Sequence, residues 1–497
     1  MATSNLLHRY SSIRDALIEA GLFTPQLDGA FVEGSRKETG HTSWRIGLDP
    51  LFLAADQLTF FQELGPQLLR FSRALNHLYG ESVRGTQPSW VAAWLDQGKP
   101  EALVTYSRMK RFRDDLPRVI RPDIIPTQDG MVITELDSVP GGIGLTACMS
   151  HLYALLASVP SSAVESPRPP QLIGGQDGMI DGFAAMLRSQ LIQPEGLVAI
   201  VVSEEAKDYR PEMSWMAREL TGRGLETHCV EPRQIRFTEE GLRLPDAGDR
   251  AIGLIYRFYE LFDLPNVPKH ELIQYAAKKG LVSVTPPYKP ALEEKSAFAL
   301  LHHPALAPYW RTELGEELFL HLTTIMPRTW ILDPAPVPPS AVIPGLSIGG
   351  RSVTNWNDLA GATQKQRHFV VKPSGFSELA WGSRGVSVGH DLPQHEWAAA
   401  LEAALAAFPH TPHVLQEFHK GRQFQVEYFD APAGEIRTMA GRARLSPYYF
   451  VTGETAELAG ILATVCPADK KVIHGMKDAV MVPCAIAQEP TRTNPHG

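Results

Sequence analysis

The 497-residue sequence predicts an α/β (α+β) chain built in several units, and three observations carry that expectation. Between residues 197 and 285, short apolar runs alternate with amphipathic stretches of helical length, the pattern of a parallel sheet with both faces covered. Residues 12–120 instead carry helical spacing, with Leu64, Leu68, Phe71, Leu75 and Leu78 recurring every three or four positions. Beyond residue 291, strands and helices mix without regular alternation. A chain of this length holds about two to four domains and a large buried core.

In order, a first helix is expected over 13–20, closed by Gly21, and a second carries the Leu64 to Leu78 stripe with Pro66 in its first turn. A third, over 100–115, bears Arg108, Lys110, Arg111 and Arg113, a run that either steers phosphate or is simply a solvated face. Two extended runs, 123–126 and 131–136, flank Thr127-Gln128-Asp129-Gly130, whose Asp-Gly pair signals a hairpin. Helices over 152–157 and 180–191 are separated by a Pro/Ser/Gly-rich loop, 160–178, that reads as a boundary.

The alternating block follows, with strands at 197–202, 225–230, 252–256 and 281–285 and helices at 212–223 and 270–279. It lacks Gly-x-Gly-x-x-Gly after its first strand, which argues against a dinucleotide fold. Arg257 and Glu260, ending the third strand, are either ligand contacts or a structural ion pair. In the last block, helices are expected over 294–301 and 396–408, strands over 329–332, 369–373, 414–418, 423–429 and 436–443, and a proline-rich surface segment over 334–340. The expected units are a helical region 1–117, a short segment 118–160, an α/β domain 180–290, a nucleotide-type core 291–485 and a flexible tail 486–497.

Composition narrows the function class. Apolar residues make up 44% and charged residues 21%, as in ordinary soluble proteins, and the net charge of -8 gives no general pull toward nucleic acid or acidic membranes. The opening MATSNLLHRYSS lacks a leader pattern, and no apolar run approaches the ~18 residues that a membrane helix requires. A cytoplasmic enzyme is the expectation, with homo-oligomerisation left open. The four cysteines, Cys148, Cys229, Cys466 and Cys484, are dispersed and read as buried thiols.

Three carboxylates draw attention to the hairpin. Folding it brings Asp123 back toward Glu135, and strand alternation puts Glu135 and Asp137 on one face with Leu136 opposite. Three oxygen ligands beside a turn suit a hard cation such as Mg2+, whereas a solvated hairpin edge is the plain alternative. Farther on, Lys372 ends a buried run and precedes a loop holding Gly375, Gly382, Ser383, Arg384 and Gly385. Backbone amides freed by glycine beside a lysine suit polyphosphate, although the lysine precedes the glycines and so makes no P-loop.

Lys372, this loop and the strand Leu415-Gln416-Glu417-Phe418 together resemble the nucleotide half of an ATP-grasp enzyme. The resemblance implies that Lys372 and Lys295 hold phosphates, with Lys289 a rival to Lys295. It further implies that Gly382, Ser383 and Gly385 close over the phosphates, and that Gln416, Glu417 and Phe418 form the hinge at the adenine. Arg121-Pro122-Asp123 and Glu135-Leu136-Asp137 come before the lysines, an order similar to the circularly permuted ATP-grasp enzymes of the glutathionylspermidine synthetase type. Asp123, Glu135 and Asp137 are then implied as Mg2+ ligands, although the family carries asparagine where this chain has Asp137. Arg121 is implied on an anionic substrate or phosphoryl group. Arg442 and Arg444, alternating along a strand that enters the site, would stabilise a transferring phosphoryl group or make surface ion pairs.

The resemblance therefore implies an ATP-grasp fold in circularly permuted order, using ATP and Mg2+ to join a small-molecule carboxylate to an amine through an acyl phosphate. A kinase-like phosphotransferase on the same site, or a nucleotide-binding protein without catalysis, is the alternative. Neither nucleic acid nor membrane is an expected partner.

Overall fold

The final third of the chain pairs with the hairpin to make the largest sheet. In the computed structural model the described residues are 2–24, 44–157, 170–336, 338, 341–380, 382, 384–470, 473 and 478–487. The expected loop at 160–169, part of the proline-rich segment 334–340, Ser383 and the tail from 488 lie outside them. Among the described residues a nine-stranded sheet has at its centre the long strands Glu435–Thr452 and Thr455–Pro467. The hairpin of Val119–Pro126 and Met131–Asp137 adds to one side of this pair, and Val480–Ile486 to the other.

The strand expected over 436–443 thus runs on to Thr452, and the two strands after it were not anticipated. Their interiors are continuous apolar runs buried on both faces, so the alternation that marks a half-exposed strand is missing. The N-terminal region is largely helical, as its spacing predicts, yet the short strands Arg45–Ile46 and Leu51–Leu53 run parallel to Val480–Ile486 and tie it to this sheet.

Helix Ala55–Arg84 lies across the sheet with Leu64, Leu68, Phe71, Leu75 and Leu78 buried. Pro66 sits inside it rather than in its first turn, because the helix begins eleven residues earlier. Beside Pro66, a Cβ on Gly65 would lie 2.5 Å from Tyr449 Cδ1 and 2.8 Å from the Ala456 carbonyl oxygen. Tyr449 is fully buried and its hydroxyl donates to the Phe61 carbonyl at 2.7 Å. The expected third helix is shorter, Glu101–Ser107, followed after an extended Met109 by one tight turn, Lys110–Phe112.

The alternating block forms the parallel core that its pattern predicts. Leu197–Val202 pairs in parallel with Thr227–Val230 and with Arg250–Phe258, which in turn pairs in parallel with Ser283–Thr285. An antiparallel hairpin, Arg236–Thr238 with Gly241–Leu244, completes a six-stranded sheet. The last unit is a four-stranded antiparallel sheet in the order Thr329–Ile331, His413–Glu417, Phe369–Pro373, Ser387–Val388.

Gly65 lets the helix approach the sheet closely, so Gly65→Ala should destabilise the protein by about 1–3 kcal/mol through overpacking, despite alanine's better helix propensity. Thermal or denaturant unfolding reads this directly; an unchanged or raised stability would show that the helix has room to withdraw.

Candidate active site

Pairing within the hairpin decides which charges meet. Thr127 closes the turn, its amide and hydroxyl both donating to the Gly130 carbonyl at 2.7 and 3.0 Å, and Gly130 takes a φ of 146°. The register then sets Asp123 opposite Glu135 and Arg121 opposite Asp137. Directly opposite residues share a face, so four charged side chains stand together. Arg121 binds Asp137 at 2.6 Å and approaches Asp123 at 3.4 Å.

Asp123 also accepts from Arg444 at 3.1 Å and from the Ser446 hydroxyl at 3.1 Å, both on the neighbouring long strand. Burial alone would raise its pKa, but Arg121, Arg444 and Ser446 outweigh burial and hold the carboxyl below the usual range. Burial dominates at Asp137, whose pKa is raised despite Arg121.

Two lysines reach the same hairpin from the other side. Lys295 immediately precedes helix Ser296–His302, and its Nζ lies 2.8 Å from Glu135 Oε1. Burial would lower its pKa, but Glu135 reverses the sign and keeps the ammonium charged. Lys372, on the Phe369–Pro373 strand, donates to the Thr134 carbonyl at 2.9 Å. With only that neutral oxygen as a bonded partner among the described residues, desolvation pushes its pKa down to about 8. Lys289 is elsewhere, donating to Asn76, Arg113 and Asp115, so Lys295 is the lysine beside the hairpin.

These groups border a cleft of about 1570 Å³ between the hairpin and the four-stranded sheet. Arg121, Asp123, Glu135, Asp137 and Lys372 line it together with Gly382, Gln416, Glu417, Phe418, Arg442 and Arg444. Lys295 opens into a small adjoining recess that it shares with Glu135, Asp137, Glu260 and Glu293. Gly385 is placed differently. A Cβ there would meet Pro373 Cγ at 2.7 Å, and its amide donates to Leu379, so it folds the loop back on itself rather than lining the cleft.

At the hinge segment, Gln416 is buried with its side-chain amide donating to Thr329 Oγ1 at 3.1 Å, while the His390 ring lies edge-on to Phe418 at 4.5 Å. Arg257 is fully buried, donates to the Pro286 carbonyl at 3.1 Å and pairs with Glu293 rather than with Glu260, which instead lines the recess beside Lys295.

The geometry fits the expected Mg2+ only in part. Mg2+ is ordinarily held by one or two carboxylates with phosphate oxygens and water, not by an all-protein cage. Among the described residues no three His, Cys, Asp or Glu side chains are grouped to hold a metal, so the expected triad of Asp123, Glu135 and Asp137 is not assembled as one ligand set. The reason is electrostatic: Arg121, Arg444 and Ser446 enclose Asp123, whose side chain is 9% exposed. Glu135 and Asp137, at 32% and 26%, still open toward the cleft, and they fit a two-carboxylate site completed by phosphate and water.

Sequence reasoning missed Glu212. Its Oε1 accepts from the Gly142 amide at 2.8 Å and its Oε2 from the Leu145 amide at 3.1 Å, capping helix Ile143–Ala157 directly after the hairpin. Tyr448 supports the same turn, donating to the Gly141 carbonyl at 2.8 Å. Gly141-Gly142 marked the turn, but nothing local in sequence points to a partner seventy positions away.

No family model matches the chain, and no curated protein does. Among solved structures it is similar to a glutathione synthetase like-effector (GSS30) from Globodera pallida in apoform, with a TM-score of 0.57 and 13% identity over 97% of each chain. The fold is shared. A protein from Methylobacillus flagellatus KT, provisionally described as a gamma-glutamylcysteine synthetase, is similar at 12% identity and a TM-score of 0.40, covering 90% of this chain and 91% of that one.

Burial raises the Glu212 carboxyl to about 7 from 4.5, against the lowering effect of the Gly142 and Leu145 amides. Between those two values the folded protein keeps a proton that the unfolded chain has lost, so this group's contribution to stability falls as pH rises from 4.5 to about 7. Unfolding free energies across that range should therefore show a downward slope that is flattened in Glu212→Gln, whatever the variant's absolute stability. Parallel curves for the two proteins would contradict the assignment.

Proposed function

We propose that the chain is an ATP-dependent ligase of the circularly permuted ATP-grasp type, joining a carboxylate to an amine with release of ADP and phosphate. One observation carries the proposal most: Lys295 and Lys372, from the nucleotide-type block, both end on the hairpin at residues 134 and 135. The lysines and the carboxylates belong to segments more than 150 positions apart, yet they border connected spaces. The fold shared with a glutathione synthetase like-effector is in keeping with a ligase reading.

On this reading, the adenine lies along Gln416, Glu417 and Phe418, and the triphosphate runs toward Lys372 and Lys295 beneath the loop at Gly382. Glu135 and Asp137 would hold Mg2+, which lowers the charge barrier on the transferred phosphoryl group. The substrate carboxylate attacks the γ-phosphorus and ADP leaves, giving an acyl phosphate. The amine then attacks the acyl carbon, loses a proton and expels phosphate. Both steps concentrate negative charge, so preorganised cations supply most of the catalysis. Arg121 and Arg444 are held in place by Asp123, and Arg442 by the Ala468 carbonyl, so their guanidinium groups need little reorganisation.

Removing one such contact costs about 3 kcal/mol or more of transition-state stabilisation. Lys372→Ala and Glu135→Gln should each reduce ATP turnover by more than a hundredfold while leaving the fold intact by circular dichroism. Near-normal turnover in both would refute the site. Hydroxylamine distinguishes the two chemistries: a ligase yields a hydroxamate from its acid substrate, whereas a phosphotransferase acting on a hydroxyl does not. Tight ATP binding with no ADP release for any acid would favour binding without catalysis.

A further inference from the structure

A second cavity, of about 360 Å³, shares no lining residue with the cleft. It opens where the edge strand Ser283–Thr285 of the parallel sheet meets the segment 111–118. Its size falls at the small end of ligand pockets, which span roughly 300–1,000 Å³.

Its walls are of two kinds. Phe112, Leu116, Val282 and Val284 give one apolar side, and Ile192, 43% exposed, stands at the rim. Arg111 and Arg118 also line the cavity; among the described residues neither makes an ion pair within 4 Å, although both are near enough to Asp115 to favour its charged form. Among the described residues the Arg118 side chain donates only to the Gly453 carbonyl, at 3.3 Å. The Arg111 guanidinium rests over Gly280, its Nη2 2.6 Å from where a Cβ would lie, so any side chain at that position would displace it.

The one carboxylate in the lining, Asp115, makes no ion pair with either arginine, and Lys289 approaches the same stretch through the Asp115 carbonyl at 3.0 Å. The local balance is therefore positive. In the lining, Thr285 is 2% exposed and among the described residues its hydroxyl has no hydrogen-bond partner, an uncommon state for a buried polar atom.

We infer that this cavity is a binding site for a small organic carboxylate with an apolar body, its carboxylate met by Arg111 and Arg118 and its body by the apolar wall. A guanidinium recognises a carboxylate through paired N–H donors, and the apolar wall would exclude water from that contact. The Thr285 hydroxyl donates to the ligand or accepts from it, which supplies the partner it lacks in the protein.

The test uses 4-phenylbutyrate as the probe and 4-phenylbutanol, the same body without charge, as its control, with the full chain in a calorimetric titration. Saturable binding of the acid is expected, about tenfold or more weaker in Arg111→Ala, weaker also in Thr285→Val, and retained in Lys372→Ala. Arg111→Ala alters an exposed side chain, and a melting curve checks that it is folded. The inference is overturned if the acid shows no saturable binding, if the alcohol binds as well, or if binding survives Arg111→Ala but is lost in Lys372→Ala. The last outcome would place the probe in the cleft.

Discussion

Charge neutralisation at the hairpin is the constraint on which the rest of the structure depends. Asp123, Glu135 and Asp137 stand on one face of two short strands, and an unpaired buried carboxylate costs several kcal/mol. No sufficient counter-charge exists nearby in sequence, where Arg121 serves both Asp123 and Asp137. The remainder comes from Arg444 on the long central strand and from Lys295 at a helix start. The same pairs that make burial tolerable also bring three distant parts of the chain to one place.

The two lysines do not play the same electrostatic part. Lys295 is matched by Glu135, and its charge is secured before any ligand arrives. Lys372 is desolvated beside a carbonyl oxygen, and its pKa falls to about 8. A cation so poorly compensated gains more from an incoming phosphate than a paired one does, because the phosphate supplies the charge partner that the protein withholds. On the proposed function, Lys372 would be the more responsive of the two to nucleotide.

Local chemistry made the hairpin legible: Asp129-Gly130 fixed its turn, and alternation placed Glu135 with Asp137. The parallel sheet was legible for a similar reason, since buried strands between amphipathic helices leave a regular pattern. The strands Thr455–Pro467 and Val480–Ile486 left none, because burial on both faces erases the alternation. Pro66 misled through propensity, as proline favours a first turn but tertiary packing holds it within a long helix. Partnerships such as Glu212 with the Gly142 amide, or Arg444 with Asp123, depend on topology and carry no local mark. The three carboxylates were visible as a set, whereas the arginines and serine that enclose Asp123 and set it apart from the other two were not.

The central claim is that Glu135, on the hairpin, and the lysines of the nucleotide-type block form one nucleotide and metal site. Calorimetric titration of ATP with and without Mg2+, on the natural chain and on Glu135→Gln, tests it most directly. The account predicts that Mg2+ strengthens ATP binding to the natural chain and that Glu135→Gln removes most of this strengthening. An equal Mg2+ effect in both proteins would contradict it.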